Sequence, residues 1–145
     1  MAYRYHDDLA QVAPTDLVGF FVGWPNTPTP STHFRLLGRS SQFVVATEPG
    51  ASRVIGFVTA LTDGVLSAYI SHLEVLPEHR GRGVGGELVR QILARLDPIY
   101  MVDLICDPEV QPFYEALGLT KYSGMILRNY LAQAGTPGEP PHADS

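Results

Sequence analysis

A chain of 145 residues with 45% hydrophobic and 17% charged content has the size of one compact domain and the apolar material for a core, which excludes disorder throughout. Its net charge of −5 excludes general affinity for nucleic acid, whose phosphates demand a basic face. No apolar run approaches the ~20 residues of a membrane span, the N-terminus has no basic-then-apolar pattern of a secretory signal, and the single cysteine, Cys106, cannot form an internal disulfide. A cytoplasmic location is the expectation. Lys121 is the only lysine among ten basic residues, an arginine bias that points to a GC-rich bacterial genome.

The chain divides into a single domain over 1–134 and a tail over 135–145, Gly-Thr-Pro-Gly-Glu-Pro-Pro-His-Ala-Asp-Ser, whose composition predicts disorder. Two short helical patterns, 16–22 and 33–38, flank an irregular stretch over 23–32 that contains Pro25, Pro28 and Pro30. Strand signals follow at 42–47, 54–61 and 65–76. Asp63-Gly64 between the second and third is a strong hairpin dipeptide, so the three form an antiparallel meander. Beyond them the period changes. Val84, Leu88, Ile92 and Leu96 recur at four-residue steps, an amphipathic helix ended near Pro98. A mostly buried strand over 99–106 then closes a right-handed parallel crossover. A short helix at 112–117 stops at Gly118, and 122–130 supplies a last strand signal. The predicted fold class is α/β (α+β): a mixed sheet, antiparallel first and parallel at its centre, flanked by helices.

The informative segment joins the third strand to the long helix and places Gly81, Gly83, Gly85 and Gly86 within six positions. Glycines let a ligand approach the backbone closely. The N–H groups that open a helix carry roughly half a positive charge, and Arg80 and Arg82 add two full ones. This is a phosphate site; the bland alternative is a tight turn with two solvated arginines, which needs fewer glycines. A P-loop is excluded because no lysine follows the glycines. The dinucleotide pattern is formally matched by Gly81, Gly83 and Gly86, with Asp103 about 20 residues on. It is rejected because Pro77 to Arg80 separate the first glycine from the strand, and because three antiparallel strands precede it.

A third pattern, R-x-x-G-x-G, is matched by Arg80, Gly83 and Gly85. This segment resembles the pyrophosphate loop of the GNAT superfamily of N-acetyltransferases. The resemblance extends over roughly residues 42–130. Leu73-Glu74-Val75 with Pro77 looks like that family's central strand, and Phe113 to Leu119 like its C-terminal helix motif. A fainter similarity, through Asp63-Gly64, Tyr69-Ile70 and Tyr114 to Gly124, is to plastid and cyanobacterial arylalkylamine-type acetyltransferases.

The resemblance implies a splayed pair of central parallel strands holding acetyl-CoA; the five histidines show no ligand-like pairing, so no metal is expected. Leu73, Glu74 and Val75 would line the pantetheine arm through main-chain groups. The N–H groups of Gly81, Arg82, Gly83, Val84, Gly85 and Gly86 would cradle the pyrophosphate, beside Arg80. A main-chain N–H near Val75 would polarise the thioester carbonyl. Tyr114 resembles the family's general acid toward the departing sulfur, with core packing as its alternative. Asp107 stands where the family often has an Asn that holds the CoA arm, or it caps the turn at Pro108.

The general base is the open question. Strand alternation places Tyr69, Ser71, Leu73 and Val75 on one face and Ile70, His72 and Glu74 on the other. Relatives carry catalytic side chains at the positions of Tyr69 and Ser71, neither of which is a good base near neutral pH. His72 has the right acidity but the wrong face unless a bulge re-aims it; Glu74 and a water chain are the alternatives. Trp24, in the proline-rich loop, would wall the acceptor pocket by cation–π attraction or stacking, or pack over the core edge. Cys106 reads as a small buried filler. The expected activity is acetyl-CoA-dependent acetylation of a small primary amine, by a monomer or homodimer. A protein N-terminal or lysine acetyltransferase and a non-catalytic acyl-CoA-binding module remain alternatives.

Overall fold

In the computed structural model, which describes residues 2–138, five strands form one sheet in the order β1-β2-β3-β4-β5. They are β1 (Arg4–His6), β2 (Gln42–Thr47), β3 (Val54–Thr62), β4 (Ser67–Val75) and β5 (Met101–Asp103). β1 to β4 pair antiparallel, and β5 runs parallel to β4. The helices are α1 (Pro30–Arg39), α2 (Val84–Arg95) and α3 (Gln111–Glu115). This is the mixed α/β sheet that the strand and helix signals predict, with β1 added at its edge. Three residues are too few for alternation to mark a strand.

The β3–β4 turn shows why Asp63-Gly64 forms a hairpin. The Asp63 carboxylate accepts the N–H groups of Val65 and Leu66 at 2.8 Å, and Gly64 takes a φ of +76°. Those bonds hold the Asp63 carboxyl down to about 2, and they delay β4 to Ser67, two residues past the expected start.

α2 covers one face of the sheet. A Cβ on Gly56 of β3 would lie 3.2 Å from Leu88, 3.3 Å from Val84 and 3.4 Å from Val75, so the missing side chain is what lets helix and sheet close. Phe20, Phe21 and His33 pack on Phe57 on the opposite face.

Four expected elements differ. The strand read as mostly buried over 99–106 is only Met101–Asp103, with Met101 and Asp103 exposed, because just three residues of β4 run beside it. No helix forms over 16–22. A 3-10 turn, Pro14–Leu17, leads into backbone where Gly19, Phe21 and Gly23 all have positive φ, a pattern no right-handed helix contains. α1 begins at Pro30, inside the stretch read as irregular. Proline lacks an N–H, but none is needed at the first helical position, and Thr29 caps the helix by accepting Thr32 N–H at 3.1 Å. The segment 122–130 joins no strand; from Leu119 to Asn129 it runs without turn, bend or ladder. At the tail boundary, Gly135 N–H donates to Ala132 and the Arg35 guanidinium donates to the Thr136 carbonyl. The expectation for 139–145 lies outside the described residues.

Candidate active site

Only the first three residues of β4 pair with β5: Ser67 with Met101, Ala68 with Val102 and Tyr69 with Asp103. From Ile70 to Val75 β4 continues with no strand on that side, so a free main-chain edge opens beyond the short pairing with β5. The edge leads directly into the glycine-rich loop. Gly81 and Gly83 take φ of +76° and +82°, and a Cβ on either would meet nothing within 4 Å. No side chain caps α2, whose first backbone bond of the loop region is Glu87 N–H to the Gly83 carbonyl. Among the described residues, the N–H groups of Gly81 through Gly86 donate to no protein acceptor. Six free donors at a helix start, with open space before them, fit a pyrophosphate.

The two arginines of the loop are both engaged. Arg80 Nε donates to the Val75 carbonyl at 2.9 Å, which turns its guanidinium toward the β4 edge. Arg82 donates to the Tyr3 hydroxyl at 3.3 Å. Tyr3 also pairs at 3.0 Å with Nδ1 of His79, and the other His79 nitrogen lies 3.5 Å from the Glu48 carboxylate.

The alternation expected for β4 is overturned by a bulge. Thr59 of β3 faces His72 and Ala60 faces Ile70, so Ser71 has no partner and the period slips by one. Ser71 Oγ lies 2.8 Å from Thr59 Oγ1. Residues opposed across the ladder share a face, and Leu61, opposite Tyr69, shares its face with Thr59 and Phe57. Tyr69, Ser71, His72 and Glu74 therefore lie on one side, and Ile70, Leu73 and Val75 on the other.

A cavity of about 250 Å³ opens beside that slip, lined by Phe21, Trp24, Phe57, His72, Glu74 and Arg80, with Val22 and Leu73. The structure thus brings Trp24, His72 and Arg80 together. The imidazole of His72 has Phe21, Trp24 and Phe57 ring centroids at 6.2, 6.5 and 6.4 Å. Burial lowers its pKa from 6.5, so His72 is neutral, with a lone pair available, at neutral pH. Glu74 occupies both carboxylate oxygens, accepting Phe21 N–H at 2.7 Å and Val22 N–H at 3.2 Å. These bonds hold Phe21 at φ +62°, the only positive φ among the described non-glycine residues. Behind the cavity His33 is 1% exposed, both ring nitrogens lack a partner, and burial with the neighbouring His72 lowers its pKa to about 4.

Other predicted residues stand apart from the cavity lining. Tyr69 is exposed, one strand position beyond the slip. Asp107 is exposed and its side chain makes no cap; its carbonyl accepts Val110 N–H at 3.0 Å. Tyr114 is buried on α3, and burial, with a smaller push from Cys106, raises its hydroxyl to about 12. The neighbouring ring of Phe113 packs 3.6 Å from where a Gly85 Cβ would be, which ties α3 to the start of α2. Sequence reasoning missed Phe21, Val22, Phe57 and His33; the glycines flanking Phe20-Phe21-Val22 were the available signal.

A short parallel pair that opens toward a glycine-rich helix start defines an α/β fold with an anion-accepting helix start. The profile of the acetyltransferase (GNAT) domain matches residues 39–120, and the chain belongs to that family of N-acetyltransferases. A Deinococcus radiodurans R1 crystal structure, itself provisionally assigned as an acetyltransferase, is 50% identical, covers 94% of each chain and superposes with a TM-score of 0.91. The uncharacterized N-acetyltransferase ycf52 of Pyropia yezoensis is 28% identical over 103 residues, 69% of this chain and 59% of that one. The chloroplastic GCN5-related N-acetyltransferase 3 of Arabidopsis thaliana is 33% identical over 84 residues, 57% of this chain and 35% of that one. The matched region thus spans about three-fifths or less of these two relatives. Among the described residues no helix is long and apolar enough to cross a membrane.

Proposed function

We propose that this protein transfers the acetyl group of acetyl-CoA to the primary amine of a small molecule by direct attack. The observation that carries the reading is the row of six free N–H donors at 81–86 continuous with the unpaired edge of β4. The loop takes the pyrophosphate, and the main chain of Leu73, Glu74 and Val75 pairs with the pantetheine arm. The N–H of Val75 polarises the thioester carbonyl. A cavity of about 250 Å³ with aromatic walls suits a small amine better than a peptide chain.

In the reaction the amine lone pair forms the new C–N bond, the C–S bond breaks, and the nitrogen gives up a proton. His72 accepts it, being neutral and on the cavity face. Ser71 and Thr59, joined at 2.8 Å, fix the bulge that presents the imidazole, while Trp24 and Tyr69 bound the acceptor side. Tyr114 donates a hydrogen bond to the departing sulfur. Burial holds its hydroxyl at about 12, well above an ordinary thiol, so complete transfer is uphill. The phenol therefore stabilises the thiolate while keeping its proton.

The test is release of free CoA thiol from acetyl-CoA with a panel of small primary amines, with and without the protein. Saturable, amine-dependent release is expected. Tight CoA binding without turnover on any amine would instead identify a non-catalytic acyl-CoA module.

A further inference from the structure

We propose that the turn over 129–136 is a clasp on the loop that carries Trp24, which makes Gln133 a positioning residue for the acceptor cavity. The clasp stands on contacts alone; its effect on an acceptor rests on the acetyl-transfer reading.

Little else holds that loop. Residues 22–27 are all exposed, and Pro25 and Pro28 have no N–H to donate. Among the described residues, the stretch 23–28 makes three hydrogen bonds. Trp24 N–H donates to the Phe21 carbonyl at 3.2 Å, and the Thr27 hydroxyl donates to the Trp24 carbonyl at 3.2 Å. Both are local. The third, Asn26 N–H to Gln133 Oε1 at 3.0 Å, spans 107 positions and ties the loop to the far end of the chain.

The segment that supplies Gln133 is built as a turn. Asn129 caps a short 3-10 helix, Tyr130–Ala132, by accepting Leu131 N–H at 3.2 Å. Gly135 closes it, with a φ of +92° and its N–H on the Ala132 carbonyl at 2.9 Å. Between Thr120 and Gly138, Gln133 is the only residue that is not exposed. A second contact seats the turn on α1. Arg35 donates to the Thr136 carbonyl, and a Cβ on Gly135 would lie only 2.9 Å from Thr32 Cγ2. The turn therefore grips α1 at Thr32 and Arg35 and the loop at Asn26.

Trp24, two residues from Asn26, walls the cavity with its ring centroid 4.9 Å from Phe21 and 6.5 Å from His72. An exposed loop with a single long-range hydrogen bond lies at the low end of local stability. Losing that bond frees the indole, while β4 and the 81–86 loop, which Gln133 does not bond, keep their places.

Trp24 is the only tryptophan, so its emission reads the loop directly. In the full chain, Gln133→Leu should shift that emission to the red and raise its quenching by acrylamide. Gln133→Glu keeps an acceptor oxygen and should match the unaltered protein. With an amine that is turned over, Gln133→Leu should raise the amine KM about 3–10-fold, the worth of one hydrogen bond, with kcat and the KM for acetyl-CoA unchanged. Amide exchange on the unaltered protein needs no variant to fold: Asn26 should exchange more slowly than Thr27, whose N–H has no acceptor among the described residues. Unaltered emission in folded Gln133→Leu, an equal change in Gln133→Glu, an amine KM that stays level while the emission moves, or an Asn26 amide as fast as that of Thr27 would each overturn the proposal. Absence of turnover in the unaltered chain would instead fail the acetyl-transfer reading, while emission and amide exchange still decide the clasp.

Discussion

The Glu74 carboxylate accepts the backbone N–H of Phe21 at 2.7 Å, although 53 positions separate them in sequence. One oxygen holds Phe21 and the other reaches Val22 at 3.2 Å, so a strand carboxylate fixes the left-handed bend that builds the aromatic wall. Removing it in Glu74→Ala leaves both N–H groups without that partner, and a loss of about 1–3 kcal/mol is expected. Melting temperature should fall, and KM for the amine should rise more than KM for acetyl-CoA. Glu74→Gln, which keeps one acceptor oxygen, should fall between. An unaltered melting temperature in Glu74→Ala would mean that aromatic packing alone holds the loop.

The proposed role of His72 as the base predicts a pH dependence. Burial lowers its pKa below 6.5, so kcat/KM for acetyl-CoA, measured at saturating amine, should carry an acidic limb with its midpoint below that value. His72→Gln should remove that limb and cost about 10²–10⁴-fold in kcat. A limb that persists in the variant assigns it to another group.

Tyr114→Phe deletes only the hydroxyl. A hydrogen bond to departing sulfur predicts a loss in kcat of about 10–100-fold with CoA affinity retained. With the hydroxyl at about 12, no tyrosine ionisation should shape the profile at moderately alkaline pH. Full turnover with a lowered melting point would assign the ring to packing alone.

His33 ties stability to pH. Its pKa falls from 6.5 in the unfolded chain to about 4 in the fold, so the unfolded state binds the extra proton first as pH drops. Stability is therefore complete above pH 6.5 and is lost between 6.5 and about 4, by about 3 kcal/mol at most. Chemical denaturation at several pH values should show this decline, and His33→Leu should remove that part of it. An unchanged pH slope in His33→Leu would exclude His33 as its source.

Gly83→Val tests the loop. Its φ of +82° strains any β-branched residue, and the added side chain would enter the space before the free N–H groups. CoA affinity should drop by at least about 100-fold, far beyond the effect of a modest change in stability. Retained affinity, measured by calorimetry on folded variant, would remove the basis of the acetyl-CoA reading.

How far the sequence could be read depends on whether each feature is local. The glycines of 81–86 and the period of Val84, Leu88 and Ile92 act within a single turn or helix, and both are where composition places them. The slip at Ser71 is not local. It exists only in the pairing of β4 against β3, and alternation along Tyr69 to Val75 presumes an unbroken period of two. Phe21 misleads in another way, because an apolar run gives no sign that its φ is positive, and a distant carboxylate imposes it. The run 122–130 has strand-forming residues, but a strand needs a neighbour, which its own sheet does not supply.

Arg82 connects the loop to the far edge of the sheet. Its guanidinium rests on Tyr3, which rests on His79, which faces Glu48. A phosphate that draws Arg82 away leaves the Tyr3 hydroxyl with one partner fewer, at the root of the first strand. Were a ligand to do so, residues 4–6 would exchange their amide protons more readily, three strands away from the open edge of β4.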